Sequence, residues 1–431
     1  MNNKEIIVNY FKNNEKAPGE LYFGPEYEHI IVDRNTYKSV SYYGERGVNY
    51  VFKRLVELGW KPYMEGEHIL GADYEDLHVT TEPGGQFEFS SDKKETLEEV
   101  EEDYKRFFKM LLPILDELEY DILAIGYHPV TKIEDIKLLP KKRYDTMFNH
   151  FKTHGTMGHN MMKGTGALQL SIDYTSEEDY TKKFVVGNAI SNVLYSMFEN
   201  VLFFQGEPVG HNQRARIWEH TDPDRSGLAR NAFIDDTFEG YADYIVNTKA
   251  IFAYQDGEMV ATGEEIIDNL MDESTTKDEL EHLLTMVFPD VRTKKFLEFR
   301  MMDAVPYPYN FSAFALIKGI FYDEDNLNYL YETLRETTRK EVMDSRHEMY
   351  ELGEEAKYLG STMKEWKLKL LELAKNALGE EAKYLEPLEE LVNSYGSFYN
   401  RSKTIYEETN DVKAAVSGNR ITKEVLCIQT E

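Results

Sequence analysis

The chain is short of cysteine: Cys427 is the only one in 431 residues. A single thiol cannot close an intramolecular disulfide, which agrees with a reducing compartment. So near the last residue it is also a poor candidate for a nucleophile, because chain termini are usually loosely held. Long apolar runs are missing too. No stretch of about 18 hydrophobic residues occurs, so no helix is expected to span a membrane. The first residues, Met1-Asn2-Asn3-Lys4-Glu5, lack the cationic and apolar blocks of a secretory signal. A cytoplasmic setting is the expectation. Basic residues are scarce, with 49 Lys plus Arg against 78 Asp plus Glu and a net charge of −29. Such a surface repels nucleic acid and anionic lipid, which excludes both as partners.

Several signatures are absent as well. No G-x-x-x-x-G-K-[ST] phosphate loop, G-x-G-x-x-G dinucleotide loop, G-x-S-x-G elbow or H-E-x-x-H zinc motif occurs. The eleven histidines are scattered. His150, His154 and His159 stand close together in a glycine-containing stretch, which reads better as a surface loop than as a metal centre, since no cysteine accompanies them.

What is present is a large core, with 42% hydrophobic and 13% aromatic residues. Helical periodicity predicts helices over 44–59, over 96–119 with a kink or interruption at Pro113, and over 182–204. Further helices are predicted over 324–352, 362–378 and 380–396, and the last twenty residues carry no clear signal. Two parts are expected: residues 1–318 and a mostly helical region, 319–431, packed on them.

Four short segments alternate like strands: Glu26–Val32, Gln86–Ser90, Leu168–Asp173 and Phe296–Arg300. One face then carries Glu26 and Glu28, Glu88, Gln169 and Ser171, and Glu298 and Arg300. The other carries Tyr27, Phe87, Phe89, Leu168, Leu170, Ile172, Leu297 and Phe299. An antiparallel sheet with one wet face would give this pattern. So would a face built to hold a divalent cation, because crowded carboxylates repel and raise one another's pKa until a cation neutralises them. Oxygen ligands of this kind suit Mg²⁺, which shares its coordination with phosphates. With an arginine on the same face, those are the parts that phosphoryl transfer asks for.

The same segments resemble the glutamate–cysteine ligase family, in the branch shared by plants and many bacteria. Gly24-Pro25-Glu26-Tyr27-Glu28 is similar to its G-x-E-x-E strand. Glu82-Pro83-Gly84-Gly85-Gln86-Phe87-Glu88-Phe89-Ser90 is similar to E-P-G-G-Q-x-E-x-S and is the most specific match. Met161-Met162 with Thr165 and Gln169 resembles M-M-x-x-T-x-x-x-Q. Arg216-Ile217-Trp218 followed by Thr221-Asp222-Pro223-Asp224-Arg225-Ser226-Gly227 resembles R-x-W and T-D-x-D-R-[ST]-G. Phe288-Pro289-Asp290-Val291-Arg292, then Lys295, Leu297-Glu298 and Arg300, resembles the last strand motif. These matches run in order from about residue 20 to 305.

The resemblance implies an α+β fold like glutamine synthetase: a curved antiparallel sheet forming a funnel, flanked by helices. It implies ligation of the glutamate γ-carboxylate to the cysteine amine through γ-glutamyl phosphate, with ATP and Mg²⁺ (Mn²⁺ as an alternative ion). By the same resemblance Glu26, Glu28, Glu82, Glu88 and Glu298 hold the metal. Gln169 stands at the metal–nucleotide edge, Arg300 meets the transferring phosphoryl group with Glu298 beside it, and Arg292 holds phosphate or carboxylate. Arg216, Trp218 and Arg225 line the nucleotide or amino-acid pocket. The expected partners are these small molecules and, at most, a second copy in a homodimer. Two departures stand out. Gly164, beside Lys163, replaces an arginine usual in plant members, and Arg300-Met301-Met302-Asp303 replaces R-G-A-D. The cysteines behind redox control of plant members are missing. The alternatives are a carboxylate–amine ligase with another acid or amine, a metal-dependent hydrolase, and an acidic cation-binding protein.

Overall fold

A computed structural model describes residues 2–255 and 258–428. Its frame is a nine-stranded sheet whose neighbours all pair antiparallel. In chain order the strands are β1 (Phe23–Asp33), β2 (Lys61–Glu65), β3 (His68–Tyr74), β4 (Leu77–Thr81) and β5 (Phe87–Ser91). They continue with β6 (Tyr120–Leu123), β7 (Ala167–Ile172), β8 (Val291–Thr293) and β9 (Leu297–Asp303). Across the sheet the order is β8-β9-β7-β1-β5-β4-β3-β2, and β6 pairs with the far end of β1.

The alternation predicted from sequence sets which side is core. Tyr27, Phe87, Phe89, Leu168, Leu170, Ile172, Leu297 and Phe299 are all buried. They lie under helices Leu97–Leu118 and Tyr309–Phe321, with Phe89 stacked on Phe107 at 4.4 Å and Tyr27 against Tyr104 at 4.8 Å. Offset aromatic packing of this kind adds to plain area burial. Toward the end of β1 both faces become buried, because Ile30 and Val32 meet Leu123, Ile125 and Val416 from the C-terminal segment. Ile421 N donates to the Ile122 carbonyl there, so the last residues described finish the sheet.

Helix boundaries differ from the sequence reading where capping or burial overrides periodicity. The expected helix 44–59 is Val48–Glu57, since Gly44 turns the chain at φ +100° and Gly47 caps. Leu97–Leu118 runs on through Pro113. The 182–204 pattern is two helices, Glu177–Ala189 and Ser191–Met197, followed by the buried polar residues Glu199 and Asn200. The 324–352 pattern divides into Glu324–Leu334 and Arg339–Leu352, because Thr338 and Glu341 form a capping box that starts a new helix. Met363–Ala377 agrees, and 380–396 becomes a 3₁₀ turn, Gly379–Leu385, leading into Glu386–Ser394. Phe398–Thr409 and Val412–Val416 follow. Tyr309–Phe321 crosses residue 318, and helices before and after it share one hydrophobic cluster. No helix among the described residues is long and apolar enough to cross a membrane.

Candidate active site

The polar face of the sheet floors a cavity of about 370 Å³. Register brings the acidic side chains together: Glu26 lies opposite Gln169 and Ser90, and Glu28 lies opposite Glu88. Two adjoining carboxylates are thereby fixed on neighbouring strands. Glu28 accepts from Ala167 N at 2.9 Å and from Gln169 Nε2 at 3.2 Å, and Glu88 accepts from Thr80 Oγ1 at 2.8 Å.

The turn before β5 delivers Glu82 to the same floor, and its glycines are dictated by geometry. Gly85 sits at φ +85°, and a Cβ on Gly84 would lie 2.3 Å from the Lys163 carbonyl oxygen. Gln86 staples that turn to the loop opposite, accepting from Gly84 N at 2.8 Å and donating to the carbonyls of Thr165 at 2.9 Å and Met162 at 3.2 Å. Glu82 itself accepts from Tyr144 Oη at 3.4 Å.

These carboxylates are electrostatically unsatisfied. Burial first, and then Glu82, raises the Glu28 pKa to about 7. Burial together with Glu82, Glu26 and Glu28 pushes Glu88 well above the ordinary carboxylate value. Glu26 is raised by burial and by Glu298, against the opposing pull of Lys294, Arg292 and Arg300. A desolvated cluster of like charges is what a divalent cation relieves. An all-oxygen donor set of four carboxylates fits Mg²⁺ or Mn²⁺.

Glu298 is placed differently from the other four expected ligands. It is fully buried and off the cavity lining. Arg292 Nη2 reaches it at 2.6 Å, Arg300 Nη1 at 2.8 Å and Lys294 Nζ at 3.0 Å. Burial works against its charge, but Arg292, Lys294 and Arg300 hold its pKa below the usual range. Three cations surround its charge, so here it anchors them, and the carboxylates that line the cavity are Glu26, Glu28, Glu82 and Glu88. The lysine that reaches this cluster is Lys294, whereas Lys295 is exposed.

Arg292 and Arg300 line the cavity at the β8–β9 end. Between Phe299 and Met302 the pairing of β9 with β7 shifts register, a bulge that sets Arg300 beside Gln169, whose Oε1 accepts from Arg300 Nη1 at 2.5 Å. Bulges of this kind re-aim side chains next to functional sites. Trp218 lines the cavity, with Arg300 Cζ 5.3 Å from its ring. Arg216 and Arg225 do not belong to the lining. Arg216 lies over the Tyr350 ring at 4.3 Å and pairs with Glu351 at 3.4 Å. Arg225 is buried against Asp222 at 2.6 Å and braces its own loop.

Sequence reasoning missed Arg143, Tyr144 and Arg214, which line the cavity, together with Ile251, Phe252, Tyr254 and His282. Arg214 carried a readable signal. It stands four residues before Trp218 on helix Gln213–Glu219, hence on the same face, whereas Arg216 points elsewhere. The three histidines stay out of the lining: His150 meets Asp222 at 2.9 Å, His154 pairs with Glu264, and His159 stacks on Phe148 at 3.8 Å. Gly164 leaves no room for a side chain, since its Cβ would meet the Tyr127 ring at 2.3 Å. Met301 and Met302 are both fully buried.

Residues 22–418 match the family model described as glutamate–cysteine ligase family 2. The chain is 30% identical over 406 residues to the chloroplastic glutamate–cysteine ligase of Arabidopsis thaliana, covering 91% of this chain and 77% of that one. It is 28% identical over 419 residues to the chloroplastic glutamate–cysteine ligase A of Oryza sativa subsp. indica, covering 94% and 85%. Among solved structures it is similar in fold to the glutamate–cysteine ligase of Francisella tularensis in complex with AMP. That likeness has a TM-score of 0.55 at 10% identity, over 94% of this chain and 88% of the other.

Proposed function

The chain belongs to glutamate–cysteine ligase family 2, and from that premise we propose that it joins the γ-carboxylate of glutamate to the amine of cysteine at the expense of ATP. The observation that carries this reading is the cavity itself, with four carboxylates on its floor and Arg292 and Arg300 at one end. Forming an amide from a carboxylate is uphill, so the carboxylate is first activated. Its oxygen attacks the γ-phosphorus of ATP, ADP leaves, and γ-glutamyl phosphate forms. The cysteine nitrogen then attacks the acyl carbon, losing a proton as phosphate departs, and the product keeps its thiol free.

Glu26, Glu28, Glu82 and Glu88 would hold Mg²⁺ or Mn²⁺. When bound, the ion neutralises phosphate oxygens and screens the nucleotide from the acidic floor. Arg300 supplies positive charge where charge builds on the transferring phosphoryl group, and Glu298 and Gln169 preorganise it so that it need not reorient during reaction. Arg292, held by Glu298, offers a second cation for phosphate or carboxylate. The aromatic side chains of the lining, Trp218, Phe252 and Tyr254, limit the water that can reach the acyl phosphate. We place the enzyme in a cytoplasmic, reducing setting, as a monomer or homodimer; a substrate whose thiol must stay reduced supports the first of these.

Phosphate release across a panel of acids and amines, singly and in pairs, tests the reading. Phosphate should appear only with glutamate, appear faster when cysteine is added, and stop when divalent metal is chelated. A sulfoximine that mimics the tetrahedral adduct should be phosphorylated in the site and inhibit tightly. Turnover with another acid and none with glutamate would keep the ligase class and remove this substrate pair.

A further inference from the structure

Helix Lys142–His150 ends on His150, and the chain turns so that His154 comes back over it. The two imidazoles stack face to face, 3.9 Å apart and 7° from parallel. Their outer partners fix which nitrogen carries a proton. His154 Nδ1 lies 3.0 Å from the His150 carbonyl oxygen, which can only accept, so Nδ1 is the donor and Nε2 keeps its lone pair. His150 Nε2 lies 2.9 Å from Asp222 Oδ2. Burial opposes the charge on Asp222, but His150 and Arg225 hold its carboxyl below the usual range. Asp222 therefore also accepts, and the lone pair of His150 is on Nδ1.

Glu264 comes from the turn after strand Glu258–Ala261, where the backbone holds it at φ +69°, in the left-handed region that few non-glycine residues enter. Its Oε1 meets His154 Nε2, and its Oε2 meets Lys249 Nζ at 3.2 Å. A carboxylate oxygen and an imidazole lone pair repel unless a cation lies between them. A proton would serve that one pair. Yet a ring nitrogen of His150 stands at the same spot, and one ligand atom from each of His150, His154 and Glu264 lies within 4.8 Å of the others. A proton cannot engage three donors, and a metal ion can.

We propose that His150, His154 and Glu264 form a second metal site, separate from the carboxylate floor, for a borderline divalent ion of the Zn²⁺ class. Two imidazoles and one carboxylate suit Zn²⁺ and disfavour Mg²⁺, which is best held by oxygen alone. Asp222 and the His150 carbonyl hold the outer nitrogens, as carboxylates and carbonyls do behind metal-bound histidines. Bonds to one ion of about 2.0–2.2 Å need side-chain rotation. His154 and Glu264 have the room for it, with 30% and 36% of their side chains exposed. None of the three lines the cavity, but the elements they join do, through Tyr144 and Met147 on the helix and Phe252 and Tyr254 on the strand paired with Glu258–Ala261. A bound ion clamps that hairpin to the helix. The site stands whichever acid and amine the cavity joins.

Co²⁺ and Zn²⁺ titrations test it, in excess Mg²⁺ to fill the floor and on a Cys427→Ser chain, which lacks the exposed thiol. This parent chain should bind one equivalent more than His154→Ala or Glu264→Ala does. Each variant should weaken binding at that site by about 10²-fold or more, since loss of an outer partner alone costs about 10–10²-fold. Zn²⁺ should also slow hydrogen exchange of the Phe252–Gln255 amides in the parent and not in Glu264→Ala. Both replaced side chains are partly exposed, and equal Tm values without added metal establish that the variants are folded. Equal stoichiometry and affinity in parent and variants would overturn the site and leave a proton between His154 and Glu264. Exchange slowed alike in parent and Glu264→Ala would put the ion elsewhere and overturn the assignment too.

Discussion

Replacing Glu28 by glutamine should make the metal-free protein more stable at pH 8 and less stable at pH 4. In the folded protein burial and Glu82 lift the Glu28 pKa from 4.5 to about 7. The folded-state value is the higher one, so the stability this group contributes is complete below pH 4.5 and is lost as pH rises to about 7. A shift of that size corresponds to at most about 3 kcal/mol at pH 8. Glutamine never ionises and avoids this loss. It can accept one of the two hydrogen bonds that Glu28 takes from Ala167 N and Gln169 Nε2 and forfeits the other, about 1 kcal/mol. The net gain at pH 8 is about 2 kcal/mol. With an unfolding entropy of about 2.1 cal/mol/K per residue over this chain, that is a rise in Tm of about 2 °C. At pH 4, below the unfolded value, little but the lost bond remains, and Tm should fall by about 1 °C. Calorimetry of both proteins after chelation, at both pH values, reads the sign change. Adding Mg²⁺ at pH 8 should stabilise wild type more than the variant and abolish the variant's advantage. A variant less stable by the same margin at both pH values would refute the idea that the floor is a strained carboxylate cluster.

Arg300→Ala should lower kcat by about 10²–10³-fold while changing the KM for ATP far less, because the lost charge acts on the transition state; normal kcat with weak ATP binding would make Arg300 a nucleotide anchor only. Arg346 reaches in from helix Arg339–Leu352 to pair with Asp290 at 2.6 Å, just before β8. Breaking this buried pair by Arg346→Met should cost about 3–5 kcal/mol and a comparable number of degrees in Tm. Adding Asp290→Asn should recover most of that loss. An unchanged Tm in the single variant would contradict the pairing.

How much of the fold and the site is legible in the sequence depends on whether the signal is local. Strand alternation reports directly which face a residue occupies, so the floor of Glu26, Glu28 and Glu88 and the core of Tyr27, Phe87 and Phe89 follow from the order of residues alone. The fate of Glu298 does not, because its face is right but its neighbours come from β8 and the turn after it. Periodicity likewise runs straight across Thr338, although the T-x-x-E box that restarts the helix is written there. Strands β2 and β6 are short and do not alternate, β3 buries three successive residues, and β4 alternates as β5 does but turns His78 and Thr80 outward where β5 turns Glu88. The bulge at Arg300 is invisible in sequence, since it is a property of two strands at once.

The two departures from the family pattern show why position in a motif is not position in a site. Read along the chain, Gly164 and Met301-Met302 interrupt segments that build the cavity, and they invite the conclusion that the substrate pocket has changed. In the structure neither reaches it. The space a side chain at 164 would need is filled by Tyr127, which accepts a hydrogen bond from Asn160 Nδ2 at 2.9 Å, so an arginine there would have to displace a buried ring. Met301 lies within the bulge, and Met302, opposite Leu168, points to the core side of the sheet. Both changes therefore trade packing for packing behind the floor. Selectivity between acids and amines has to come from side chains that touch them. The side chains placed to do so line the cavity, among them Trp218 beside the β8–β9 arginines, and Phe252, Tyr254 and His282.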